Sequence, residues 1–198
     1  MNLPNKLTVS RFWLTALFLW AVFARSPLND TLALVLFCLA GLTDWLDGVI
    51  ARRRGLVTNF GMLMDPLADK ILICSAFIAL VERGQLNPAS PVKVQAWMAV
   101  LIVARELAIT GLRLLAASKN VVLAAERFGK HKTIAQTTAV ISLLVLDACV
   151  EWWPWLQDLF RPWTPAFTRL ALWAAILLTV TSGVQYLWRN RGLYLHDL

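Results

Sequence analysis

Six long apolar runs separated by short polar turns make up most of the chain, at about residues 12–24, 31–51, 60–81, 92–115, 133–150 and 166–187. Each is near the ~20 residues with which a helix crosses ~30 Å of hydrocarbon, the first being the shortest. The pattern predicts an all-α, polytopic membrane protein of six transmembrane helices. Residues 1–11 are polar, with Pro4 and two cations, and read as a short interfacial segment leading into the first run. No small-x-small cleavage site follows that run and a second begins within a few residues, which argues against a removed signal peptide. Residues 85–91, with two prolines and an asparagine, read as a loop. No internal repeat or low-complexity segment is visible, so residues 1–198 are taken as one membrane-embedded domain, without the repeat signature of many transporters.

Composition agrees: 59% of the 198 residues are hydrophobic and only 16% are charged, against about half and a quarter in soluble domains. The net charge of +7 does not point to nucleic acid, because the cations sit between apolar runs and not along one polar face. Their distribution gives an orientation instead. With the N-terminus inside, twelve cations fall inside (Lys6, Arg11, Arg52, Arg53, Arg54, Arg113, Lys119, Arg127, Lys130, Lys132, Arg189 and Arg191). Five fall outside: Arg25, Arg83, Lys93, Arg161 and Arg169. That is the bias of a protein in a cytoplasmic (inner) membrane with both termini cytoplasmic. Trp152, Trp153, Trp155 and Trp163 then lie at the outer headgroup level, as an aromatic belt would. Cys38, Cys74 and Cys149 stand alone in apolar runs and read as small buried hydrophobes, with no disulfide framework and no thiolate metal site.

The costly feature is a set of four aspartates. Asp44 and Asp47 end the second run, Asp65 and Asp69 begin the third, and Arg52-Arg53-Arg54-Gly55 lies between the pairs. A carboxylate at mid-membrane costs at least ~2.5 kcal/mol, and four close together repel unless a cation sits among them. Spacings of three and four put each pair on one helix face. Gly48, Ala51 and Gly61 keep those faces clear of bulk, although helix packing alone accounts for such residues as well. The result is an all-oxygen donor set suited to Mg²⁺, Mn²⁺ or Ca²⁺, not to zinc or copper. A proton relay or cation path would also use intramembrane carboxylates, so a transporter or channel is the alternative from another class. The small-residue clearings and Arg52 fit a metal-bound diphosphate better.

The pattern Asp44-x-x-Asp47-Gly48-x-x-Ala51-Arg52, eight residues, Gly61-x-x-x-Asp65-x-x-x-Asp69 resembles, without departure, the signature of the CDP-alcohol phosphatidyltransferases. The resemblance implies a six-helix membrane enzyme, usually a homodimer, using Mg²⁺ or Mn²⁺ ions, two by expectation. It would pass the phosphatidyl group of a CDP-linked lipid to an alcohol and release CMP. It implies that Asp44, Asp47 and Asp65 hold the metals, that Asp69 lies at the metals and is the base, and that Gly48, Ala51, Arg52 and Gly61 shape the nucleotide pocket. Further stretches are Leu3-Pro4-Asn5-x-Leu7-Thr8-x-x-Arg11, Asp65-Pro66-Leu67-Ala68-Asp69-Lys70, Ala104-Arg105-Glu106 with Gly111-Leu112-Arg113, and Gly129-Lys130-x-Lys132-Thr133. These are similar to the bacterial members that take CDP-diacylglycerol as donor and sn-glycerol 3-phosphate as acceptor. Arg105, Arg113 and Lys130 are then the expected acceptor-phosphate site, and paired guanidiniums suit a dianion. The bland alternatives are positive-inside anchoring for Arg113 and Lys130 and a structural ion pair for Arg105. Phosphatidylglycerol or inositol phosphate as acceptor is the rival within the family. Thr8 and Arg11 either line the donor entrance or anchor the first helix. Lys70 either compensates the aspartates or snorkels to the headgroups, and His131 and His196 read as surface residues. This likeness extends to about residue 140, and the last run carries little of it.

Overall fold

A computed structural model describes residues 3–24, 28–54, 59–87, 90–119, 121 and 128–195. Within them, the side chains of 3–5, 47, 51–54, 59–63, 128–130 and 194–195 lie outside the description. The described residues form helices and no strand: α1 (Leu3–Phe23), α2 (Asn29–Arg54), α3 (Asn59–Leu86), α4 (Ala96–Ser118) and α5 (Phe128–Ala148). A 3-10 turn (Cys149–Glu151), the short α6 (Pro154–Phe160), α7 (Thr164–Arg189) and the one-turn α8 (Gly192–Leu195) follow.

Four of these helices are long and apolar enough to cross a membrane, over Lys6–Phe23, Asn29–Ile50, His131–Glu151 and Thr164–Arg189. The other two long helices have the length, 28 residues for α3 and 23 for α4. What sets them apart is charge: α3 carries Asp65, Asp69, Lys70, Glu82 and Arg83, and α4 carries Arg105, Glu106 and Arg113.

Among the described residues no separate interfacial segment precedes the first span, because α1 runs unbroken from Leu3. Pro4 sits in the first turn, where a missing N–H costs nothing. The polar residues expected at the membrane surface instead face the bundle. Thr8, Arg11, Thr15, Phe18 and Val22, spaced by three and four, are buried, while Trp13, Leu17 and Trp20 point outward. Outward apolar side chains recur on α1, α2, α3, α4 and α7, as a lipid-facing surface requires, whereas the described part of α5 exposes only Ile134 of its large apolar residues.

Hydrocarbon gives apolar surfaces no reason to associate, so close packing and polar contacts hold such a bundle. Along the middle, Phe18 and Ala21 of α1 pack with Ala33, Phe37 and Ala40 of α2, the Phe18 and Phe37 rings 5.5 Å apart. Gln136 of α5 donates to Thr179 of α7 at 2.9 Å, and Thr168 donates to the Ser142 carbonyl at 3.1 Å. At one end of the bundle Arg83 pairs with Asp30 and donates to the Val22 carbonyl, tying α3 to α2 and α1. Glu151 accepts from the Asp30 and Thr31 backbone N–H groups at 3.0 and 2.8 Å and from the Thr31 hydroxyl, capping α2 from a distant part of the chain. The tryptophans of the expected belt are exposed or half-buried, and Trp152, Phe160, Trp163 and Phe167 form a run of ring contacts along α6 into α7. Of the three cysteines expected to be buried, only Cys149 is: Cys74 is half-buried and Cys38 is exposed on the outward face of α2, all three as free thiols.

Replacing Glu151 with Ala removes that cap together with its charge. The expected loss is about 1–3 kcal/mol, seen as a lower thermal midpoint in detergent. An unchanged midpoint would show that the cap contributes nothing to stability.

Candidate active site

At the end of the bundle opposite Arg83, a cleft of about 710 Å³ opens between acidic residues on one side and basic residues on the other. Asp44 and Trp45 of α2 and Pro66, Asp69 and Lys70 of α3 line one wall. Arg105, Glu106, Ile109 and Arg113 of α4, Lys132, Thr133 and Ile134 of α5 and Tyr186 of α7 line the other.

The acidic wall is braced by α1. Arg11 has no exposed surface and pairs with Asp44, Nη1 to Oδ1, at 2.7 Å. The same nitrogen reaches the Asp65 carbonyl at 3.5 Å, and the buried Thr8 hydroxyl donates to Asp65 Oδ1 at 2.5 Å. Thr8 and Arg11 therefore do not line an entrance. They are buried behind the aspartates and hold two of them, because a buried guanidinium requires a carboxylate partner and α1 offers it two acidic helices. Asp65 is directed at α1, whereas Asp44 and Asp69 reach the cleft. Gly48 is half-buried on α2. The side chains of Asp47, Arg52, Ala51 and Lys130 and the surroundings of Gly61 lie outside the described residues, although all five positions are helical.

On the basic wall, Glu106 is the centre. It is buried, accepts from Arg105 Nη1 at 3.3 Å and pairs with the buried Lys132. Arg105 Nη2 also reaches the Ser182 hydroxyl at 3.4 Å. Arg113 Nε donates to the Tyr186 hydroxyl at 3.3 Å, its guanidinium 5.7 Å from the ring centre. Lys70 donates to Thr110 at 2.5 Å and so bridges the walls, instead of snorkelling to the headgroups. His131 is exposed, as expected of a surface residue.

The chain belongs to the CDP-alcohol phosphatidyltransferase family. The family model matches residues 1–181, well beyond the stretch whose motifs carry the resemblance. The chain is 40% identical to a CDP-diacylglycerol–glycerol-3-phosphate 3-phosphatidyltransferase of Bacillus subtilis, over 96% of this chain and 95% of that protein. It is 35% identical to a protein of the same description from Rickettsia bellii, over 93% of each.

Within this family member, the residues that sequence reasoning passed over are Glu106 as the hub, Lys132 as its second cation, and Ser182 and Tyr186. A signal existed for the first two: an acid beside an arginine in one apolar run, and a lysine two places after Lys130. Tyr186 was concealed in a run that otherwise reads as plain lipid-facing helix.

The acidic wall fits a hard divalent cation. Its donors are carboxylate oxygens only, and two of the carboxylates are already oriented by α1. Among the described residues no three His, Cys, Asp or Glu close on one point, and the Asp47 side chain is not among them. Thr8→Val removes the hydroxyl that orients Asp65. The expected result is Mn²⁺ affinity about 10–100-fold weaker, by paramagnetic resonance of the solubilised protein. Unchanged affinity would detach Thr8 from the metal site.

Proposed function

We propose that the chain transfers the phosphatidyl group of CDP-diacylglycerol to sn-glycerol 3-phosphate, giving phosphatidylglycerophosphate and CMP in phospholipid synthesis. The observation that carries this reading is the cleft itself, with an acidic wall suited to a metal-bound diphosphate and a basic wall suited to a second phosphate. The names of the Bacillus subtilis and Rickettsia bellii relatives, similar over almost their whole length, support the same donor and acceptor. A neutral acceptor would have no need of the Arg105, Arg113 and Lys130 cluster.

Asp44, Asp47, Asp65 and Asp69 hold two Mg²⁺ or Mn²⁺ ions, which when bound neutralise charge on the donor's diphosphate. Arg11 and Thr8 orient the Asp44 and Asp65 carboxylates for that task. Gly48, Ala51, Arg52 and Gly61 shape the nucleotide pocket. Arg105, Arg113 and Lys130 hold the acceptor's phosphate, placing its primary hydroxyl toward Asp69. Asp69 takes the hydroxyl proton as the oxygen attacks the phosphatidyl phosphorus. The bond from that phosphorus to the bridging oxygen breaks, and the oxygen departs with CMP. No Ser, Cys or His among the described residues lines the cleft, which favours direct displacement over a covalent intermediate.

Purified protein supplied with CDP-diacylglycerol and Mg²⁺ or Mn²⁺ is expected to release CMP with glycerol 3-phosphate. It should not do so with inositol phosphate or phosphatidylglycerol, and Asp69→Asn should lower the rate by about 10²–10⁴-fold. Release only with another alcohol would keep the family chemistry and discard the acceptor. Metal flux in sealed vesicles without CMP release would favour a transporter. With a chiral donor phosphorus, inversion is the expected outcome, and retention would refute single displacement.

In the membrane, α3 and α4 join the four apolar helices as spans, giving six in an inner membrane with both termini and the cleft cytoplasmic. The charges that distinguish α3 and α4 are largely paired with one another or with groups inside the bundle, which removes the main objection to their crossing. The protein acts as a homodimer. In a cysteine-free background, Asp158→Cys should react with an impermeant maleimide from outside and Arg191→Cys only after the inner face is exposed. Labelling of both from one side would overturn this topology.

A further inference from the structure

The two arginines of the basic wall are eight residues apart on α4, and both rest on the same short stripe of α7. Ser182 accepts from Arg105, Tyr186 accepts from Arg113, and between them Gly183 is buried against the Arg105 stem. A Cβ built on Gly183 would meet Arg105 Cγ at 2.9 Å, closer than real Cβ contacts come. The glycine is thus a space that the Arg105 side chain fills. Tyr186 is equally fixed: only 3% exposed, it packs with Ile109 and Leu112 of α4 and with Leu115, Leu187 and Leu193. Its hydroxyl is thereby held at one height beside the Arg113 guanidinium.

We infer that Ser182, Gly183 and Tyr186 form a seat on α7 that sets the positions of Arg105 and Arg113, and through them the enzyme's affinity for a phosphate-bearing acceptor. These are positioning residues, rests for two cations and not contacts to substrate. Two observations favour this over plain helix packing. Arg105 and Arg113 both line the cleft, and the seat bonds to their guanidiniums are long, at 3.4 and 3.3 Å. A guanidinium aligned by its stem at the cleft wall is ready for a phosphate oxygen.

This inference rests on the acceptor reading above, and a double-mutant cycle separates the two. Steady-state constants would be measured for glycerol 3-phosphate and for CDP-diacylglycerol in wild type, Gly183→Ala, Arg105→Ala and the double variant. Gly183→Ala should raise the KM for glycerol 3-phosphate by about tenfold and leave that for CDP-diacylglycerol within about twofold, the split expected when only acceptor binding is disturbed. In the Arg105→Ala background the Cγ that Gly183 accommodates is gone, so adding Gly183→Ala should change nothing further. Tyr186→Phe, which keeps the ring and its packing, should raise the acceptor KM about threefold by loss of the hydroxyl alone. An equal penalty of Gly183→Ala in both backgrounds, or equal effects on both substrates, would reduce the stripe to helix packing. An acceptor KM that rises in Arg105→Ala but not in Gly183→Ala would overturn the seat and leave the acceptor site standing. An acceptor KM unchanged in Arg105→Ala would refute the acceptor site and the seat with it.

Discussion

The fold depends on a guanidinium that water does not reach. Arg11 is fully buried, and the groups that make this tolerable are the Asp44 carboxylate on α2 and the Asp65 carbonyl on α3. Removing one partner from a buried ion pair costs about 3–5 kcal/mol, far more than the pair itself contributes. The value of the contact is therefore register. Helix α1 cannot slide or turn against α2 and α3 without stranding a charge, and the acidic residues cannot drift from α1 without losing the cation beside them. Near-uniform apolar surfaces facing lipid supply no comparable constraint, because a leucine is as content against an acyl chain as against another leucine.

Seen from that anchor, the cleft is two electrostatic problems solved separately. On the acidic wall, repulsion among carboxylates is relieved in part by Arg11 and by the Thr8 hydroxyl, so Asp44 and Asp65 are oriented before any cation arrives. On the basic wall the difficulty is reversed, and Glu106 offsets the repulsion between Arg105 and Lys132 while fixing both. Each wall thus carries one counter-charge from its own side. Lys70, on the acidic wall's helix, reaches across to Thr110. Preorganised opposite fields on the two walls of one cleft suit transfer between two phosphate-bearing substrates, since reorganising charges in a low-dielectric site would add to the barrier.

The aspartates were legible in the sequence because charge in an apolar run is costly enough to need a reason, and their spacing of three and four reports one face. The spans of α2, α5 and α7 were legible for the complementary reason, as long stretches with little charge. The opening of the chain misled because polar side chains before an apolar run look interfacial. In α1 the partners that let Thr8 and Arg11 turn inward are supplied from residues 44 and 65, and no local reading of residues 1–11 contains them. Glu106 and Lys132 pose the same problem across 26 positions. The short α6 was concealed by Trp155 and the tryptophans that flank it, which mark a membrane surface whether or not the backbone is helical.

The last apolar run shows why selectivity is harder to read than chemistry. A metal-binding carboxylate must be one of very few residue types, so its presence is informative by itself. A rest for an arginine stem needs only a missing Cβ, a hydroxyl and a ring, and Ser182, Gly183 and Tyr186 are each unremarked in a membrane helix. They acquire meaning only from the guanidiniums opposite, which belong to another helix. Acceptor choice built this way can change by altering small residues on α7, with no change to the acidic wall or to the α1 contacts that hold it. Arg11 and Asp44 then keep one geometry while the opposite wall is free to vary.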